Sequence, residues 1–144
     1  MIKRIKKITQ VGVFKNFTGG GAVSLGDKPI SLIFGLNTKG KSTLAAIFQS
    51  ISEDDPSYVV DRMSIPPDGS LAQEIDMSYS DSDGTEKNLL FKDGAWHDKT
   101  LKGKVLVFDQ DFIHRNVKLP LFRTSSSDVF CVYRGPWRRL VVTS

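Results

Sequence analysis

The stretch of sequence that decides the fold is Ile30-Ser31-Leu32-Ile33-Phe34-Gly35-Leu36-Asn37-Thr38-Lys39-Gly40-Lys41-Ser42. Its first five residues are an apolar run with one serine, which is typical of a strand buried on both faces of a sheet. Its last eight residues fit G-x-x-x-x-G-K-S/T, the pattern of a phosphate-binding loop. The glycines of that pattern let the backbone turn so that successive N–H groups point at phosphate oxygens. We therefore expect a buried strand that leads into an anion-binding loop.

A helix is expected directly after the loop. Leu44, Ile47, Phe48 and Ile51 recur at i, i+3, i+4 and i+7, and this spacing predicts one apolar stripe that packs on the sheet. Asp54-Asp55-Pro56 ends the pattern. Since a phosphate-binding loop requires a strand before it and a helix after it, the motif and its surroundings agree.

The loop predicts a site for ATP and Mg²⁺. Lys41 would reach the β- and γ-phosphates, Ser42 would offer its hydroxyl to Mg²⁺, and the start of the helix would present a partial positive charge to the anion. The residues predicted to bind the nucleotide here are Gly35, Leu36, Asn37, Thr38, Lys39, Gly40, Lys41, Ser42 and Thr43.

Two positions in the loop are unusual. Thr38 stands where glycine is common in many such loops, and a β-branched residue resists positive φ. We expect either that Thr38 keeps a negative φ or that strain at Thr38 weakens binding. Lys39 adds a second cation beside Lys41, and we expect it to face solvent rather than the phosphates.

The rest of the chain predicts an α/β fold with an antiparallel β-subdomain. The basic start alternates imperfectly between apolar and charged residues, as a half-exposed strand does. Turn residues between 80 and 84 favour an antiparallel hairpin, and Asp93-Gly94 marks another turn. The predicted strands are residues 2–13, 22–25, 30–34, 71–79, 87–92 and 104–108, and residues 54–70 are expected to be a loop-rich insertion.

The segment Val105–Ile113 offers a second ligand for Mg²⁺. Asp109 follows four apolar residues, as the metal-binding carboxylate of a Walker B strand does. A different interpretation makes Gln110 the glutamine that contacts metal and water after a sheet strand in ABC-type ATPases. A third is a buried strand that ends in a polar turn, and spacing does not decide among them.

Residues 12–17, 33–44 and 107–113 together resemble the N-terminal lobe of the ABC/SMC-like ATPases. In particular, they are similar to the PrrC/RloC-type group, which are bacterial anticodon nucleases driven by such an ATPase. The resemblance implies a P-loop NTPase half-lobe over residues 1–117 that binds ATP and Mg²⁺. It favours Gln110 over Asp109 as the metal-contacting residue. It also implies a second ATPase head or a restriction or defence system as partner.

The hydrolytic parts of such ATPases do not follow Gln110. The family needs a signature motif that begins with Ser-Gly, a Walker B strand that ends in Asp-Glu, and a late switch histidine, and none is present in the sequence. We therefore expect ATP binding without efficient hydrolysis, no catalytic residue in this chain, and a truncated or frameshifted gene product.

Charge and composition bound the remaining possibilities. The net charge of +4 comes from residues 118–144, because residues 1–117 carry 15 Lys+Arg and 15 Asp+Glu. We expect this basic tail to be poorly ordered, and it supports nucleic-acid binding only weakly. The single cysteine, Cys131, excludes an internal disulfide framework and a multi-cysteine zinc site. Because no run of 18 apolar residues is present, we expect a cytoplasmic protein that spans no membrane.

Two other functions stay open at this point. A compact P-loop phosphotransferase would use Asp109 for Mg²⁺ and Arg115 or Arg123 for the phosphates. A fragment without enzymatic activity would bind nucleic acid or a partner through the basic tail, where Trp137 could stack on a base.

Overall fold

The computed structural model describes residues 1–19, 25, 33, 36, 38–67, 69–108 and 131–133. Over these residues the chain is α/β, with a main sheet of five antiparallel strands in the order β2-β1-β3-β4-β5. The elements are β1 (Ile2–Val11), β2 (Phe14–Thr18), α1 (Lys41–Glu53), α2 (Ser57–Val60), β3 (Glu74–Ser80), β4 (Glu86–Lys92), β5 (Ala95–Trp96), β6 (Leu106–Phe108) and β7 (Cys131–Tyr133). The predicted α/β class is confirmed, whereas the finer assignment to a P-loop NTPase fold stays a prediction.

β1 places its isoleucines on one face although they are spaced three residues apart. The register between β1 and β3 shifts between Ile2 and Arg4 and again between Ile5 and Lys7. Each shift is a β-bulge with one extra residue in β1, and a bulge reverses the alternation of side chains. Ile2, Ile5 and Ile8 are therefore all buried in the core. The imperfect alternation in the sequence has this structural cause.

Short turns set the order of the strands. Gly12 and Val13 join β1 to β2, and β3 and β4 form the predicted hairpin. Asp93 and Gly94 join β4 to β5 with φ values of 53° and 77°, as the two central residues of a type I′ turn require. The sequence had not predicted β2 or β5.

α1 has the predicted place and the predicted apolar stripe. It starts directly after the phosphate-loop motif, and Leu44, Ile47, Phe48 and Ile51 are all buried. They belong to one hydrophobic core that also contains residues of β1, β3, β4 and β6. The helix ends at Glu53, and its C-cap residue, Asp54, has a left-handed conformation with φ 56°.

The segment that follows α1 folds back over the turn between β1 and β2. It contains α2, so the predicted loop-rich insertion includes one short helix. The Gly12 N–H donates to the Arg62 carbonyl at 2.5 Å, and the Ser64 hydroxyl donates to the Gly12 carbonyl at 2.7 Å. These bonds fix the turn that supports the site described below.

β6 lies where the second apolar run of the sequence predicts a strand. Val105 and Val107 are buried, but Leu106 is 48% exposed, so burial on both faces is wrong for Leu106. β6 pairs with β7 in a separate antiparallel sheet of two strands. β7 belongs to the basic tail, and the rest of that tail lies outside the described residues, as does the expected boundary between residues 117 and 118.

The strands expected at residues 22–25 and 30–34 lie outside the described residues except for Leu25 and Ile33, which are partly buried against the core. In the part of the chain that the structure describes, no helix has both the length and the apolar character needed to cross a bilayer.

Candidate phosphate-binding site

The site is the junction between the glycine-rich loop and the start of α1. α1 runs for 13 residues from Lys41, and its first turn contains no acidic residue. Its first backbone hydrogen bond joins the Leu44 N–H to the Gly40 carbonyl at 2.9 Å. The N–H groups of Lys41, Ser42 and Thr43 therefore precede the helical hydrogen-bond ladder, at the end of the helix dipole that attracts anions.

Gly40 gives the backbone the sharp turn into the helix. It is the N-cap residue and has a left-handed conformation with φ 97° and ψ 7°. A Cβ atom at this position would lie 2.5 Å from Cζ of Phe14 and 2.9 Å from Cγ2 of Val13. Both the conformation and the close neighbours therefore require glycine.

Lys41 folds back over the loop that precedes it. Its Nζ atom donates to the carbonyl oxygen of Leu36 at 3.2 Å. The same oxygen accepts the backbone N–H of Lys39, also at 3.2 Å, which closes a turn between Leu36 and Lys39. The charge of Lys41 thus lies beside the backbone of the loop. Lys39 is exposed, and that it faces solvent rather than the phosphates of a ligand stays a prediction.

Thr38 has φ 68°, so the expectation of a negative φ is wrong. The alternative, a strained left-handed threonine, is the one that the structure adopts. Threonine is unfavourable in this region because its branched Cβ crowds the backbone. Whether the strain weakens ligand binding stays a prediction.

The first turn of α1 separates an exposed hydroxyl from a buried one. Ser42 is exposed at the second helical residue, where a ligand has access to its hydroxyl. Thr43 is buried, and its side chain occupies the space that a Cβ at Gly12 would need. Thr43 therefore packs the start of the helix against the turn between β1 and β2.

The structure brings together Leu36 and residues 38–43 of the predicted site. Gly35, Asn37, Asp109 and Gln110 lie outside the described residues, so the predicted pairing of Ser42 with Gln110 around Mg²⁺ stays a prediction.

The support of the loop by the turn between β1 and β2 was not predicted from the sequence. Val13 and Phe14 lie against Gly40, and Gly12 lies against Thr43. The only sequence signal is Gly12 between two apolar stretches, which is typical of a hairpin turn but does not reveal what the turn contacts.

Comparison with known proteins gives no identification, because no family model, no curated protein and no solved structure matches this chain. The function is therefore argued from the residues and the geometry described above.

Proposed function

We propose that this chain binds ATP through residues 35–43, with Mg²⁺ held by Ser42 and Gln110. The observation that supports the proposal best is the position of Lys41. It is the first residue of a long helix, it directly follows a left-handed glycine, and its ammonium group lies over the preceding loop. A phosphate-binding loop uses its lysine in this place.

Three features of the junction favour a phosphate ligand. The helix start offers N–H groups that precede the helical ladder, and the partial charge there is positive. The first turn of α1 carries no carboxylate that would repel an anion. The ammonium group of Lys41 could exchange its bond to the Leu36 carbonyl for stronger, charge-assisted bonds to phosphate oxygens.

The proposal extends to the class of the protein. The junction and the antiparallel sheet are compatible with a half-lobe of a P-loop ATPase related to RNA-targeting defence ATPases. A second ATPase head would be its partner. Such a half-lobe would bind ATP without efficient hydrolysis, because it lacks the signature motif, the Asp-Glu of a Walker B strand and the switch histidine. Placing the groups that stabilise the transition state is usually the largest catalytic effect. ATP turnover by this chain at ordinary ATPase rates would contradict this part of the proposal.

The test is the affinity for ATP, measured by isothermal titration calorimetry with Mg²⁺ present. We expect Lys41→Ala to weaken binding at least about tenfold, because a charge-assisted contact to phosphate is lost. The matched control is Lys92→Ala, which removes an exposed lysine of β4 and should leave the affinity unchanged. Equal affinities for the wild type and Lys41→Ala would refute the site.

A second experiment distinguishes the two candidate Mg²⁺ ligands. If Gln110 contacts the metal, Gln110→Ala will reduce the Mg²⁺ dependence of ATP binding and Asp109→Asn will change it less. The reverse order would instead favour Asp109 and the compact phosphotransferase. The measurement is ATP affinity as a function of Mg²⁺ concentration for both variants.

A further inference from the structure

Ser64 lies outside the phosphate-loop motif but is bonded to the turn that supports the loop. Its side chain is 1% exposed, and its hydroxyl donates to the carbonyl oxygen of Gly12 at 2.7 Å. Gly12 is in the turn between β1 and β2, whereas Ser64 belongs to the segment that follows α2. This bond therefore joins two parts of the chain that are far apart in sequence.

The backbone on either side of Ser64 also pairs with the end of β1. The N–H of Ser64 donates to the Gln10 carbonyl at 3.3 Å, and the N–H of Gly12 donates to the Arg62 carbonyl at 2.5 Å. Both of these bonds join backbone groups. The bond from the Ser64 hydroxyl comes from a side chain, so a single substitution removes it and leaves the backbone groups in place.

The turn contacts the helix start at two points. Thr43 occupies the space beside Gly12, and Val13 and Phe14, which follow Gly12 in the chain, lie against Gly40. Gly40 and Thr43 bound the first residues of α1, whose N–H groups precede the helical hydrogen-bond ladder. A displacement of the turn therefore displaces the N–H groups that we assign to the phosphates.

We infer that Ser64 is a positioning residue for ATP. This inference rests on the proposed function. Hydrogen bonds from N–H groups to an acceptor weaken steeply when their distance and angle leave the preferred range. A binding site therefore needs supporting hydrogen bonds that hold its groups within about 0.5 Å of the productive geometry. Ser64 provides such a bond through the turn between β1 and β2.

The first test compares the ATP affinity of two serine variants of the whole chain by calorimetry with Mg²⁺ present. Ser64→Ala should weaken ATP binding by about threefold to tenfold, the range expected for the loss of one hydrogen bond. Ser52→Ala is the matched control, because the Ser52 hydroxyl donates to the Val105 carbonyl at 2.6 Å near the other end of α1. This control removes the same kind of bond and should leave the affinity unchanged.

The second test distinguishes a positioning role from a general loss of stability. Two-dimensional NMR spectra of the proteins without nucleotide report the surroundings of each backbone amide. The amide resonances of Gly40 and Lys41 should shift in Ser64→Ala and should keep their wild-type positions in Ser52→Ala. Thermal unfolding of both variants is recorded in parallel, so that the affinities are compared between variants whose stabilities are known.

The possible outcomes separate this inference from the proposed function. If Lys41→Ala weakens ATP binding but Ser64→Ala binds as the wild type does, the positioning role is refuted and the ATP site stands. An equal loss of affinity in Ser52→Ala also refutes it, because any loss of stability would then have the same effect. If neither the wild type nor any variant binds ATP, both proposals fail. Should Ser64→Ala not fold, Ser64→Cys carries the same comparison, because a thiol is only a weak donor.

Discussion

At the scale of one residue, the motif explains only one of the two reasons why residue 40 is glycine. The motif predicts glycine because a backbone that approaches phosphate has no room for a side chain. The structure adds a second reason, since the ring of Phe14 lies where a Cβ atom would stand. That contact joins residues far apart in the chain, and no local pattern in the sequence contains it.

Replacing Gly40 with alanine should therefore be more destabilising than replacing a glycine that has only the backbone constraint. Gly84→Ala is the matched control, because Gly84 has φ 85° and has no atom within 4 Å of an added Cβ. We expect about 1–2 kcal/mol for Gly84→Ala from the left-handed conformation alone. Overpacking against Phe14 should add about 1–3 kcal/mol for Gly40→Ala.

Urea denaturation of the two variants measures this difference. Gly40→Ala should also weaken ATP binding, whereas Gly84→Ala should not. Equal losses of stability would mean that Phe14 moves aside without cost and that the close packing of the loop is unimportant.

At the scale of elements, hydrogen bonds and ion pairs hold the C-terminal end of α1, as packing contacts hold its start. Asp54 caps the helix and accepts hydrogen bonds from the ammonium groups of Lys99 and Lys102, at 2.9 and 3.3 Å. The Ser52 hydroxyl donates to the Val105 carbonyl at 2.6 Å, and the Gly103 N–H donates to the Ser52 carbonyl at 2.8 Å. These bonds tie the end of α1 to the segment that leads into β6.

The ion pairs of Asp54 with Lys99 and Lys102 predict that the stability of the protein depends on pH. The hydrogen bond from Lys99, with a second from Lys102, lowers the pKa of Asp54 below its ordinary value of 3.8, against a smaller opposing effect of desolvation. A carboxylate with a lowered pKa contributes stability above its unfolded pKa, and that stability is lost as the pH falls through the folded pKa. The advantage of the wild type over Asp54→Asn should therefore shrink at pH values below 3.8.

Thermal unfolding between neutral and acidic pH tests this expectation. Asparagine tolerates the left-handed conformation of residue 54, so Asp54→Asn changes the charge more than the backbone. Asp93→Asn is the matched control, because Asp93 is exposed and has a similar φ of 53°. If the thermal stability of the two variants depends on pH in the same way, the ion pairs of Asp54 do not stabilise the fold.

Elements were predictable from the sequence where a local period defines them. The stripe from Leu44 to Ile51 fixes α1 because helical spacing repeats within the segment itself. β2 and β5 are too short to show a period, and the bulges of β1 exist only in its register with β3. Strand pairing depends on residues far apart in the chain. The sequence therefore predicted the inner strands of the sheet, but it did not predict the short outer strands β2 and β5 or the bulges of β1.

At the scale of the whole molecule, the sheet supports the loop through direct contacts. The turn between β1 and β2 lies against Gly40 and Thr43, and the segment after α1 fixes that turn through Gly12. The motif predicts the residues of the site, but the parts that support the loop come from the sheet and from the segment after α1. Long-range packing of this kind could not be predicted from residue spacing.

The most direct test of the central claim observes the backbone amides while MgATP is added to the isotopically labelled chain. If the phosphates bind at the helix start, the largest amide chemical-shift changes in a two-dimensional NMR titration will fall on Gly40, Lys41, Ser42 and Thr43. Those changes will be abolished in Lys41→Ala. Shifts confined to the outer strands of the sheet, with residues 40–43 unaffected, would contradict a phosphate site at this junction.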